Sequence, residues 1–168
     1  WHCSWRGCQA GDLHSAGHPI VSVVRDHEHE SVIRDLLLGA SRRVGVASHK
    51  LGPKAPIRLA SLHDWPQRSR DATALQVVVG SRPEDDAALR DASELVCRMG
   101  GNLKVRTGVH AKLVVADDAV LVSSFNPLSA DPFGTAENAR EVGLLIRSKA
   151  VADAGWAWIN EQVKVADA

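Results

Sequence analysis

No apolar run in this chain approaches the ~18 residues that a membrane-crossing helix needs. The opening stretch, WHCSWRGCQAGDLHSAGHP, lacks a basic start followed by an apolar segment, so no signal peptide is visible. An excess of either charge is missing too, since 20 Lys plus Arg balance 20 Asp plus Glu. Overall charge therefore gives no support to a nucleic-acid partner, although a local basic face stays open. Three cysteines, Cys3, Cys8 and Cys97, make no disulfide framework, and a cytoplasmic, reducing compartment is the default expectation. An initiator Met is absent, and we expect a fragment or domain cut from a longer protein. There is no internal repeat, no low-complexity tract and no glycine fingerprint of a Rossmann nucleotide fold.

What is present suits one globular domain. The chain has 168 residues, 45% of them apolar, and a domain of that size buries roughly two-thirds of its unfolded surface without disulfides. Residues 1–18 stand apart as a Cys/His-rich segment, and a domain is expected over 19–168. Ile20–Val24 reads as a strand, and Glu28–Ala40 as an amphipathic helix carrying Val32, Ile33, Leu36 and Leu37 and ending near Gly39. Val44–Ala47 reads as a buried strand, and residues 49–73 as a long surface connection. Leu75–Gly80 is a strong strand, followed by a helix from Pro83 to about Met99, with Glu84, Asp85 and Asp86 in its first turn. Leu103–Arg106, Ala111–Ala116 and Ala119–Ser123 read as strands, the last two joined by a tight turn at Asp117-Asp118. Val142–Arg147 is a further strand and Ala150–Val163 a closing helix with Trp156 and Ile159 on one face. The alternation predicts an α/β sandwich, a mixed β-sheet flanked by helices.

One stretch carries chemistry: VHAKLVVADDAVLVSSFNPLSADPFGTAENAREVGLLI. His110 and Lys112 lie two apart on an expected strand and so face the same way. Phosphodiester cleavage needs a nucleophile or base and groups that stabilise the equatorial oxygens. Imidazole is substantially unprotonated near neutral pH and can attack. Lys112 offers a point charge to phosphate, and Ser124 and Asn126 offer neutral donors. The turn at Asp117-Asp118 would return Ser124 and Asn126 beside His110, and Glu141 could accept from its second ring nitrogen.

His110-x-Lys112, four residues, Asp117, then Ser124-x-Asn126 and a downstream Glu141 resemble the phospholipase D superfamily, and in particular its small single-motif bacterial nucleases. The resemblance covers residues 19–165 and departs at Ser123, where the family's motif has Gly. It implies a phospholipase D-like sandwich and a metal-independent phosphodiesterase, with His110, Lys112, Asp117, Ser124, Asn126 and Glu141 as catalytic candidates. Lys112, Ser124 and Asn126 would also bind substrate. The implied mechanism passes through a phosphohistidine and uses a second His, so two motifs are needed per site. One is present here, because His49-Lys50 lacks the intervening residue. A homodimer or an upstream half-domain would complete the site.

The substrate we expect is nucleic acid, the chain being a nuclease or nuclease module. The alternatives are a phospholipase D acting on lipid head groups, for which 124–136 offers only Phe125, Leu128 and Phe133, and a degenerate domain that only binds nucleic acid or a partner. No cofactor is expected for catalysis. Cys3, Cys8, His14 and His18 could form a structural zinc site, against the simpler reading of a frayed end. Cys97 is expected to be a small buried hydrophobe. Arg42, Arg43, Lys50, Lys54, Arg58, Arg68 and Arg70 give 42–70 a basic excess, either a solvated surface or a phosphate-backbone contact beside the site.

Overall fold

Strand and helix alternate along the chain much as the patterning predicts. The computed structural model describes residues 18–65, 74–81, 86–129 and 140–164. In chain order these form β1 (Ile20–Arg25), α1 (Glu28–Gly39), β2 (Val44–Ser48), α2 (Ala55–Leu59), β3 (Leu75–Val79), α3 (Asp86–Arg98), β4 (Asn102–Val105), β5 (Leu113–Ala116), β6 (Ala119–Ser123), β7 (Val142–Arg147) and α4 (Lys149–Lys164). The seven strands make one mixed sheet in the order β1-β7-β6-β5-β2-β3-β4. β2, β3 and β4 run parallel, and every other neighbouring pair is antiparallel.

β2 and β3 are buried along their whole length, as expected of strands covered on both faces. α1, α2 and α3 cover one face, with Ile33, Leu37, Leu59, Val77, Ala92 and Leu121 in the core between. α4 covers the other, seating Ala152, Trp156 and Ile159 against Ala47, Val78, Val115 and Val120.

The expected surface connection at 49–73 is corrected in its described part. Leu51, Ala55, Leu59, Leu62 and Trp65 are buried, and α2 runs into a 3₁₀ turn over Ala60–Leu62. The apolar residues there are too irregularly spaced to announce a long helix, yet they cap the core beside α1. Arg58 belongs to this excursion and is neither solvated nor free for a phosphate. It is 7% exposed and pairs with Glu30 at 2.6 Å. It also donates to the carbonyls of Pro127 and Ser129 and lies over the Phe125 ring. Cys97 is likewise corrected, being exposed. The buried stripe of α3 and its end is Ala88, Ala92, Val96 and Met99, and one step beyond Val96 turns a side chain to solvent. The segment from Pro83 to Asp85, the expected start of that helix, lies outside the described residues, as do Arg68, Arg70, Phe133, Cys3, Cys8 and His14.

Candidate active site

The topology brings separate stretches to one end of the sheet. Ser48 and Val79 close the parallel strands β2 and β3 there. Antiparallel pairing of Ala47 with Leu113, and of Ser123 with Gly143, brings the start of β5, the end of β6 and the start of β7 to the same end. His110 and Lys112 therefore enter beside Ser124, Asn126 and Glu141. The two basic residues lie just ahead of β5 rather than inside it, because the strand begins at Leu113. The ladder is continued only by the Ser123 amide donating to the Lys112 carbonyl at 3.1 Å.

His110 and Lys112 still share a side. The Lys112 Nζ lies 3.3 Å from His110 Nδ1 and donates to the His110 carbonyl at 3.2 Å. His110 is exposed, and its pKa is held below the ordinary histidine value by the Lys112 ammonium, then by His49, then by partial desolvation. Both neighbours disfavour a second positive charge, which favours the neutral imidazole.

Ser123 stands without strain where the resembled motif has Gly, since Asp26 and Asp117 are the non-glycine residues at positive φ among those described. Its hydroxyl instead accepts the Phe125 amide at 2.7 Å, tightening the turn that presents Ser124 and Asn126. Asn126 Oδ1 accepts the Lys50 amide at 3.4 Å. Ser124 donates its hydroxyl to Glu141 in a short hydrogen bond and accepts the Val142 amide at 3.1 Å. Glu141 thus serves Ser124, and not the His110 ring as the motif order suggests. Its backbone is clamped by Asp26, whose amide donates to the Glu141 carbonyl at 2.9 Å and whose Oδ1 accepts the Glu141 amide at 3.1 Å.

Asp117 is not brought to this cluster. It stands at the far end of β5 with φ 50°, about 13 Å of strand away at 3.3 Å per residue. Its carboxylate accepts the amides of Ser41 at 3.0 Å, Arg42 at 2.8 Å and Arg43 at 3.1 Å. Arg42 and Arg43 are at that end too, bonded to Asp118 and Asp153, so they do not border the site. Partial burial would raise the Asp117 pKa, but the hydrogen bonds from Arg43, Arg42 and Ser41 outweigh it and leave the carboxyl below its ordinary value.

One residue at the site escapes the motif. His49, immediately after β2, has its ring centroid 4.3 Å from that of His110. The only signal in the sequence is its place at the carboxyl end of a buried parallel strand, where sites in α/β sheets gather. Among the described residues no group of three or more His, Cys, Asp or Glu is placed to hold a metal ion, and no helix is long and apolar enough to cross a membrane.

No protein-family model matches the chain, and no curated protein matches it. Solved structures do. Nuc from Salmonella typhimurium, a phospholipase D family member, superposes with a TM-score of 0.64 at 17% identity, over 86% of this chain and 94% of that one. NucT from Helicobacter pylori gives 0.67 at 13% identity, over 88% and 97%. Phosphatidylserine synthase from Haemophilus influenzae gives 0.63 at 16% identity, over 86% of this chain but 37% of that one. The chain has the phospholipase D-like fold over most of its length.

Proposed function

We propose that this chain is one half-site of a metal-independent phosphodiesterase that cleaves nucleic acid through a phosphohistidine on His110. The observation that carries this reading is the convergence of His110, Lys112, Ser124, Asn126 and Glu141 at one sheet end, from segments bordering β5, β6 and β7. An imidazole nitrogen of His110 attacks phosphorus, and the bond to the leaving oxygen breaks as a second His protonates that oxygen. The second His then takes a proton from water, which attacks phosphorus and releases His110. Lys112 and the Asn126 amide stabilise the charge on the equatorial oxygens, and Glu141 holds Ser124 in place.

The second His comes from another copy of the chain or from an upstream half-domain. A stripe of exposed aliphatics supports a partner on that side. Val21, Val23, Val122, Val142 and Leu144 are each 42–56% exposed, and share one face through the pairings Val23 with Leu144 and Leu144 with Val122. α4 packs over the strands from β4 to β6 and meets β7 at Ile146, beyond this stripe. The stripe ends against Ser124 and Glu141. Contiguous apolar patches of this kind mark interaction surfaces.

Nucleic acid is favoured over lipid because Phe125 and Leu128, which would have to meet acyl chains, are 4% and 1% exposed. The near-complete coverage of Nuc and NucT, against about a third of the synthase, supports the small-enzyme reading. The test is purified chain with single-stranded DNA, RNA and phosphatidylcholine vesicles, all in EDTA, at protein concentrations spanning a sedimentation-defined dimerisation. Cleavage of DNA or RNA that rises with the dimer fraction is expected. Activity that returns only with Mg²⁺, or full specific activity in a strict monomer, would defeat the scheme.

A further inference from the structure

The site holds a second histidine that the scheme above does not use. His49 is half-buried and fixed from several directions. Its Nδ1 lies 3.2 Å from the Val109 carbonyl, and because a carbonyl only accepts, Nδ1 carries the proton and the lone pair of the neutral ring sits on Nε2. Its own carbonyl accepts the Ser81 hydroxyl at 2.8 Å. The residue before it is tied down as well, since the buried Ser48 hydroxyl donates to the Lys50 carbonyl at 2.6 Å and accepts the Leu128 amide at 3.2 Å. Gly80 permits the approach: a Cβ there would sit 1.6 Å from the Val109 oxygen.

The His49 and His110 rings meet at 4.3 Å between centroids with planes at 44°. A phosphoryl group cannot fit between two rings in contact, so His49 is not the acid on the opposite side of phosphorus. We propose that His49 is a positioning residue for the nucleophile: its tautomer-locked ring is a fixed wall that orients the His110 imidazole. Resting on the phosphodiesterase reading, the same contact puts the His49 imidazole close enough to the His110 ring to act on its charge beside Lys112.

The charged and titratable groups acting on His110 are Lys112 from its own segment and His49 from the end of β2, and both lower its pKa. Replacing the His49 imidazole with an apolar ring of similar size therefore raises the pH at which His110 titrates. His49→Phe separates the two roles, and His49→Ala removes both.

The experiment is a titration of the His110 imidazole by NMR in the wild type, His49→Phe and His49→Ala, with kcat and KM for bis(p-nitrophenyl) phosphate across pH. In His49→Phe, the His110 titration and the acid limb of kcat/KM both move up in pH, and kcat at the plateau stays within about threefold. In His49→Ala, kcat falls about 10- to 100-fold with KM little changed, as expected for a misplaced reacting group, and His49→Phe recovers most of the loss. An unmoved His110 titration in His49→Phe, or wild-type kcat in His49→Ala, overturns the proposal. If the wild type cleaves no phosphodiester, the enzyme reading fails on its own. The titration then decides the pairing, which stands if it shifts and falls if it does not.

Discussion

Replacing Asp117 should damage the fold and spare the chemistry, although this residue closes the motif in the sequence. Three backbone amides converge on its carboxylate, from Ser41, Arg42 and Arg43, together with the Ser41 hydroxyl at 3.2 Å. Hydrogen bonds to a charged acceptor contribute roughly 1.5–3 kcal/mol each. The Ser41 and Arg42 amides are exposed and would be rehydrated, so the net loss is that of about one such bond, about 2–3 kcal/mol. Asp117 also holds φ 50°, where Ala costs a further ~1 kcal/mol that Gly does not. Asp117→Ala should therefore lose about 3–4 kcal/mol, which for a chain of this length lowers the melting temperature by roughly 6–16 °C at 2–4 °C per kcal/mol. Asp117→Gly should lose about 1 kcal/mol less, for want of the strained backbone. Asp117→Asn, which tolerates the same backbone and keeps one acceptor oxygen, should be the mildest.

The carboxyl's depressed pKa adds a pH signature. Its contribution is fully present above the unfolded-state pKa and fades as pH falls through the lower folded-state value. The gap between wild type and Asp117→Asn should therefore narrow in acid. The assay is thermal unfolding by circular dichroism at several pH values, paired with phosphodiesterase turnover at 15 °C, where the variants remain folded. A variant that melts with the wild type yet has lost turnover would show that Asp117 acts in the chemistry and that its hydrogen bonds were misjudged.

His110→Ala should abolish turnover, while Lys112→Ala and Asn126→Ala lower kcat/KM and leave a measurable remnant; wild-type turnover in His110→Ala would end the assignment. Arg58→Ala should destabilise by about 3 kcal/mol, because it strands Glu30 and the carbonyls of Pro127 and Ser129; an unchanged urea midpoint would show the pair contributes nothing. Gly80→Ala should be poorly folded or lose most activity, since its Cβ needs the space of the Val109 carbonyl; a stable, fully active variant would mean that the Val109 segment can move away at little cost.

Much of the sheet was legible because its strands are short runs of Val, Leu and Ile bounded by turn residues. β6 and β7 match the expected spans, and β1 and β2 extend one residue further. β5 is two residues shorter at its start than its apolar pattern suggests. Ala111 continues the alternation without joining the ladder. Residues 49–65 were hidden for a different reason. Their buried side chains belong to a five-residue helix and a single 3₁₀ turn, too short for a period to show. His49 was hidden more deeply still. Its approach to His110 depends on β2 pairing with β5, a long-range choice that local pattern does not encode.

The spacing of the motif measures a strand rather than a site. Four residues separate Lys112 from Asp117, and those four are β5 itself, Leu113–Ala116. His110 and Lys112 mark where the chain enters the sheet, and Asp117 marks where it leaves. At the exit, one left-handed residue reverses the chain into β6, and its carboxylate ties the turn to the amides ahead of β2. β6 then runs back antiparallel in fixed register, Leu113 against Val122 and Ala116 against Ala119, so Ser124 and Asn126 arrive at the entrance where the basic pair waits. A one-residue slip in that hairpin would turn every inward side chain outward and carry Ser124 and Asn126 out of register with His110 and Lys112. Asp117 therefore belongs to the motif although it stands at the opposite end of β5 from His110 and Lys112. By fixing the turn it sets the register, and the register is what assembles the candidate site.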